Sequence, residues 1–113
     1  MPSNLKFVMN ISVLTPEKEI FQGNINSVKV PGSQGAFQVL NNHAPIVSSL
    51  EEGKVSIVTA GGGYRYFDIE SGAIKESNEA GKTLVFDIKS GFIEVLNNEI
   101  SLLVTGVENG LNG

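Results

Sequence analysis

From Leu5 to Val13 an apolar side chain falls on every second residue, at Leu5, Phe7, Met9, Ile11 and Val13, while Lys6, Asn10 and Ser12 stand between them. Successive side chains of an extended chain point to opposite faces, so this spacing predicts a strand with one buried face. The rest of the chain is built from shorter apolar runs broken by 13 glycines and 4 prolines, the pattern of short strands joined by tight turns. With 113 residues, 41% of them hydrophobic, one domain with a sizeable core is expected. The fold class read from these patterns is all-β, with about ten short strands and no helix of ten or more residues. The expected inner faces carry Phe7, Met9, Ile11, Val28, Val30, Ile57 and Val104.

The turn signals are local and specific. Thr15-Pro16-Glu17-Lys18 predicts the first reversal, because proline presets φ for a turn. Val28 and Val30 share a face that Ile25 does not, which predicts a bulge near Asn26-Ser27. Pro31-Gly32 fits the centre of a type II turn, and Asn41-Asn42-His43-Ala44-Pro45 forms a second polar turn before Ile46–Leu50. Gly61-Gly62-Gly63 reads as a flexible hairpin tip: no Gly-Lys-Ser/Thr follows to make a phosphate loop. Asn97-Asn98 is a two-residue hairpin loop, since asparagine tolerates positive φ. Phe67-Asp68-Ile69-Glu70-Ser71-Gly72-Ala73-Ile74 recurs nineteen residues later as Phe86-Asp87-Ile88-Lys89-Ser90-Gly91-Phe92-Ile93. One such echo records a local strand duplication rather than a repeat array.

The inventory for chemistry is thin. There is no cysteine, hence no disulfide, thiolate nucleophile or cysteine-based zinc site, and a single histidine, His43, in a polar turn. Asp68 and Asp87 occupy the same place in the repeated motif and read as strand-edge acids rather than a catalytic pair. No catalytic residue, metal ligand or cofactor site is expected. The 12 acidic and 8 basic residues are scattered, with a formal charge of −4, which argues against nucleic acid as a partner. No secretory leader and no apolar stretch long enough for a membrane span is read from the sequence. A soluble chain with contacts made by its loops is the expectation, His43 among them.

Several segments, in order and spacing, resemble the N-terminal β-sandwich domain of the F-type ATP synthase epsilon subunit. They are Val13-Leu14-Thr15-Pro16-Glu17-Lys18, Ile20-Phe21-Gln22-Gly23, Val28-Lys29-Val30-Pro31-Gly32-Ser33-Gln34-Gly35-Ala36-Phe37 and Asn42-His43-Ala44-Pro45-Ile46, then Gly53-Lys54-Val55-Ser56-Ile57, Ser90-Gly91-Phe92-Ile93-Glu94-Val95 and Ser101-Leu102-Leu103-Val104. The resemblance covers roughly residues 5 to 105. It implies a flattened β-sandwich of mostly antiparallel strands over 1–105, with a tail at 106–113. It also implies a non-catalytic rotor subunit that binds the gamma subunit and the c-ring, takes no cofactor or small-molecule substrate, and sits peripherally at the cytoplasmic face of the bacterial inner membrane. Ser33, Gln34, Gly35, Ala36, Phe37, Asn42 and His43 are the expected interface, at one end of the sandwich. The alternative is a free-standing β-sandwich adaptor for another complex.

The sequence departs from the family pattern in three respects. Ala36 and Gln38 stand where an acidic residue and a glycine are usual, and Ser90-Gly91-Phe92 replaces Ser-Gly-Gly. Nineteen extra residues before Ser90 imply an inserted β-hairpin near 70–89, whose removal is expected to leave a folded domain. The helical hairpin that follows the sandwich in the family, and its inhibition of hydrolysis, are not expected of this chain.

Overall fold

The computed structural model describes residues 8–108. The predicted core positions Leu5 and Phe7 and the tail residues 109–113 lie outside the described residues. Nine strands and no helix are present among those described: β1 (Met9–Leu14), β2 (Glu19–Val30), β3 (Phe37–Leu40), β4 (Ile46–Leu50), β5 (Gly53–Asp68), β6 (Ala73–Ser77), β7 (Thr83–Ile88), β8 (Ser90–Leu96) and β9 (Glu99–Thr105). They join in one sheet with the path β4-β8-β9-β1-β2-β5-β6, while β3 pairs with β2 and β7 with β5. All pairings are antiparallel except β1 with β9.

Two long strands let this sheet fold over on itself. The first half of β2 pairs with β1, its second half with β3. The second half of β5 pairs with β6, its first half with β7. The register between β2 and β5 shifts between Gly23 and Ile25 and again between Ile25 and Ser27, opposite the run from Thr59 to Tyr64. The pairings therefore divide into a larger layer, β4-β8-β9-β1-β2-β5-β6, and a smaller one, β3-β2-β5-β7, that share the two bent strands. The molecule measures 44 × 33 × 22 Å. Its short axis suits two sheets stacked about 10 Å apart with their outer side chains.

The glycine triplet is part of the bend rather than a hairpin tip. β5 runs through it, with Gly62 at φ 106 and Gly63 at φ 94, conformations that admit the bulge because no Cβ is present. The bend is held by polar side chains: Asn24 Nδ2 donates to the Gly61 carbonyl and Asn26 Nδ2 to the Thr59 carbonyl. Buried Thr59 donates its hydroxyl to the Glu79 carbonyl at 2.6 Å and accepts the Lys82 N–H at 3.0 Å, pinning the turn between β6 and β7.

The core between the layers contains Met9, Ile11, Val28, Val30, Ile57 and Val104, all buried as the alternation predicts. Its bulk comes from residues that the alternation did not single out. Phe21, Phe86, Leu84, Ile93 and Leu102 are all fully buried. Phe21 stacks on Tyr64 with ring centroids 5.4 Å apart, and the buried Tyr64 hydroxyl has no hydrogen-bond partner among the described residues.

Three expectations are corrected here. Residues 70–89 do not close as a hairpin: β6 and β7 each pair with β5, on different halves and in different layers. Because β7 supplies Leu84, Phe86 and Ile88 to the core, deleting 70–88 removes core rather than an appendage. Pro31-Gly32 is not the centre of its turn. The Gly35 N–H donates to the Gly32 carbonyl at 2.9 Å, so Ser33-Gln34 is central, and Gly32 is needed because a Cβ there would meet the Phe37 ring. Finally, 106–108 are tied down rather than loose: Asp87 and Glu108 exchange two backbone hydrogen bonds of 2.9 Å, and Val107 packs against the core.

Candidate functional site

The interface residues expected from the resemblance fall in two loops. Ser33, Gln34, Gly35 and Ala36 form the exposed β2–β3 connection, and Phe37 opens β3 half-buried against the core. Asn42 and His43 belong to the β3–β4 connection, Asn42 exposed and His43 partly so. β3 lies between the two loops, and its four residues at about 3.3 Å each put roughly 13 Å between them. The structure thus separates the expected site into two clusters instead of gathering it at one end. The separation follows from the course of β3, which crosses the sheet once and so puts the turns before and after it at opposite ends.

β4 connects the clusters. The Ser33 N–H donates to the Ser49 carbonyl at 3.0 Å, the two serine hydroxyls stand 2.9 Å apart, and the Glu51 N–H donates to the Pro31 carbonyl. The first loop is therefore fastened to the end of β4. At its start, the His43 N–H donates to the Leu40 carbonyl at 3.1 Å and closes a turn in which Asn42 has φ 65. His43 Nδ1 lies 2.7 Å from the Ala44 carbonyl. The Asn42 N–H donates to Oδ1 of Asn98 at 2.7 Å, which fastens the second loop to the β8–β9 turn.

The loops themselves are uncharged and partly apolar, while exposed Lys29, the partner of Gln38 across β2 and β3, and exposed Glu94, the partner of Val47 across β4 and β8, stand beside the strands between them. None of the seven expected residues carries a carboxylate or an ammonium group, and Leu40 and Val47 leave 53% and 71% of their surface exposed. Such a surface suits packing against a protein partner better than binding an ion or a phosphate. The ion pairs among the described residues involve none of these seven. Arg65 reaches Glu19 with two bonds of 2.6 and 3.0 Å, and its pKa is raised by that hydrogen bonding and by the charge of Glu19. Asp68 pairs with Lys75 at 2.8 Å, a contact that lowers the Asp68 pKa and raises that of Lys75. Among the described residues, no three histidine or acidic side chains converge as they would around a metal ion.

Sequence reasoning missed Ser49 and Asn98, the residues that hold the loops. Ser49 looked like an ordinary strand residue and Asn98 like a turn former. Their partners lie 16 and 56 residues away, a relation that local pattern does not encode.

Comparison with known proteins gives these loops a context. A family described as "ATP synthase, Delta/Epsilon chain, beta-sandwich domain" matches residues 8–80. The ATP synthase epsilon chain of Caulobacter vibrioides is 44% identical over 64 residues, 57% of this chain and 73% of that one. The epsilon chain of Protochlamydia amoebophila is 39% identical over 70 residues, 62% of this chain and 48% of that one. Alignments with its relatives span from about two fifths to about three quarters of their length. A chain of the Euglena gracilis mitochondrial ATP synthase, in a structure of OSCP, F1 and c-ring, shares the fold at a TM-score of 0.67 and 15% identity, over 96% of this chain and 57% of that one. A chain from the central stalk and c-ring of Tetrahymena thermophila mitochondrial ATP synthase does so at 0.60 and 17%, over 88% and 65%. By its sandwich and by a match over well more than half its length, this chain belongs to the family of ATP synthase delta/epsilon chains.

Proposed function

We propose that this chain is a central-stalk subunit of an F-type ATP synthase, binding the gamma subunit and the c-ring so that rotation driven by proton translocation reaches the catalytic head. The family is one of non-catalytic subunits, and this chain is not itself an enzyme. The observation that carries the reading is the family match over residues 8–80, which includes both exposed loops and the strand between them. Ser33–Phe37, fastened to the end of β4, and Asn42–His43, fastened to the β8–β9 turn, present two loops without charged side chains about 13 Å apart across β3. That separation suits one chain gripping two neighbours. On the same reading the subunit is peripheral to the membrane, and its bacterial relatives support a place at the cytoplasmic face of the inner membrane.

The test is affinity capture with the tagged full chain. Gamma and c subunits are expected to co-purify with it. Recovery of neither, with another complex in their place, would support the adaptor reading instead.

A further inference from the structure

We infer that Asn98, in the turn between β8 and β9, is the positioning residue that presents the Asn42–His43 loop to its partner. The inference rests on the rotor reading and deepens it. Asn98 is only 4% exposed, although it sits in a two-residue hairpin turn, a place where side chains usually face water. Its Oδ1 accepts the Asn42 N–H at 2.7 Å, and its Nδ2 donates to Asn42 Oδ1 at 3.3 Å. Its carbonyl accepts the Asn10 N–H at 2.9 Å, joining the same turn to β1. One residue therefore links three segments that are distant in sequence.

The hairpin itself does not need this side chain. A two-residue turn with φ 51 at Asn97 and φ 61 at Asn98 needs only residues that tolerate positive φ, and glycine does so more readily than asparagine. The amide group of Asn98 is directed at a loop 56 residues away. In that loop Asn42 also has positive φ, at 65, and Ala44 and Pro45 are exposed. Beside the turn closed by the His43 N–H on the Leu40 carbonyl, the described bond to the backbone of Asn42 is the one from its N–H to Asn98 Oδ1, and Asn98 Nδ2 holds its side chain as well. The side chain thus selects one conformation of an exposed contact loop, which lowers the ordering cost of binding.

The test uses the full chain with Asn98→Gly, which keeps the turn and loses the clamp, and Asn98→Asp, which keeps the Oδ1 acceptor. Hydrogen exchange at the Asn42 amide is read first. Asn98→Gly is expected to speed it roughly tenfold, the loss of a well-formed hydrogen bond, and Asn98→Asp to leave it near wild type. Affinity for a purified gamma–c-ring assembly is read second, and is expected to fall about fivefold in Asn98→Gly with recovery in Asn98→Asp. Unchanged exchange in Asn98→Gly overturns the inference without reference to any partner. Unchanged affinity of Asn98→Gly beside a binding wild type overturns the positioning role. A wild-type chain that does not bind overturns the rotor reading itself.

Discussion

Phe67–Ile74 and Phe86–Ile93 are near copies in sequence and end in different geometries. In the first, β5 runs to Asp68, the chain reverses through Gly72 at φ 71, and Ala73 pairs back with Asp68, so the segment closes on itself. In the second, β7 ends at Ile88 against Gly53 of the smaller layer, Lys89 bends, and Ser90 pairs with Thr105 in the larger layer. One copy is a hairpin and the other a corner between layers. Their matching residues diverge accordingly. Phe86 and Ile88 are fully buried, whereas Phe67 lies half-buried under the Lys18 ammonium, 4.0 Å from its ring centroid, and Ile69 is 40% exposed. Asp68 is held within its own hairpin by Ser71 and Lys75, while Asp87 meets Lys54 across the strand pair at 2.9 Å. What differs is the neighbour. β9 offers the second copy an edge at Thr105, whereas among the described residues the first copy pairs with its own continuation.

The largest expected effect comes from deleting whole segments. Removal of 70–88 takes Leu84, Phe86 and Ile88 out of the core and is expected to abolish the cooperative urea transition followed by circular dichroism. Replacing only 69–72 with a two-residue Asn-Gly turn is expected to preserve it. A folded 70–88 deletion would show the second copy to be as dispensable as the first.

Next come the phenylalanines. Phe86→Ala leaves a cavity in a fully buried site and is expected to cost about 3–5 kcal/mol, against about 1–2 kcal/mol for Phe67→Ala, read from urea midpoints. Equal losses would mean that the two copies are not differently buried in solution.

The glycines sharpen the contrast because they are required for different reasons. A Cβ on Gly91 would run into the Leu103 carbonyl oxygen, so Gly91→Ala is expected to cost about 1–3 kcal/mol and Gly91→Asn more. Gly72 has open space and positive φ, so Gly72→Ala is expected to cost about 1–2 kcal/mol and Gly72→Asn close to nothing. Asparagine relieving one site and worsening the other is the diagnostic result, and thermal unfolding of the four variants would read it.

The smallest effect is the acid limb of the hairpin. The Lys75 ammonium, followed by the Ser71 hydroxyl and the Glu70 N–H, holds the Asp68 pKa below its ordinary value against the opposing effect of burial. A carboxylate with a depressed folded pKa stabilises the fold above its unfolded pKa near 4 and loses that contribution as pH falls through the folded value. Asp68→Asn is therefore expected to flatten the dependence of the urea midpoint on pH below about 4, while Lys75→Met moves it toward higher pH. A wild-type midpoint already flat across that range would remove the ion pair from the account.

The sandwich and its inner face were legible wherever one face alone is buried, as at Met9, Ile11, Val28 and Val30. Turns were legible where a single residue dictates φ: Asn97 and Asn98 are at φ 51 and 61, and Thr15 closes its turn by accepting the Lys18 N–H with its hydroxyl at 3.1 Å. The bend at Gly61-Gly62-Gly63 was not legible, since glycine permits a hairpin tip and a mid-strand bulge alike, and the choice rests on Asn24 and Asn26 reaching across from β2. The candidate loops were found through family resemblance, but their separation across β3 was not.

The sequence by itself determined the periodicity, the reversals at Thr15–Lys18 and Asn97-Asn98, and the poverty of catalytic groups, because each depends on residues within a few positions of one another. Tertiary structure decided which face of the duplicated motif would be buried, which layer each half of β2 and β5 would join, and how Asn98 fixes the Asn42–His43 loop. Those outcomes depend on edge groups and cavities formed by strands tens of residues away, and a hydrogen bond or a void between them exists only once the layers have closed.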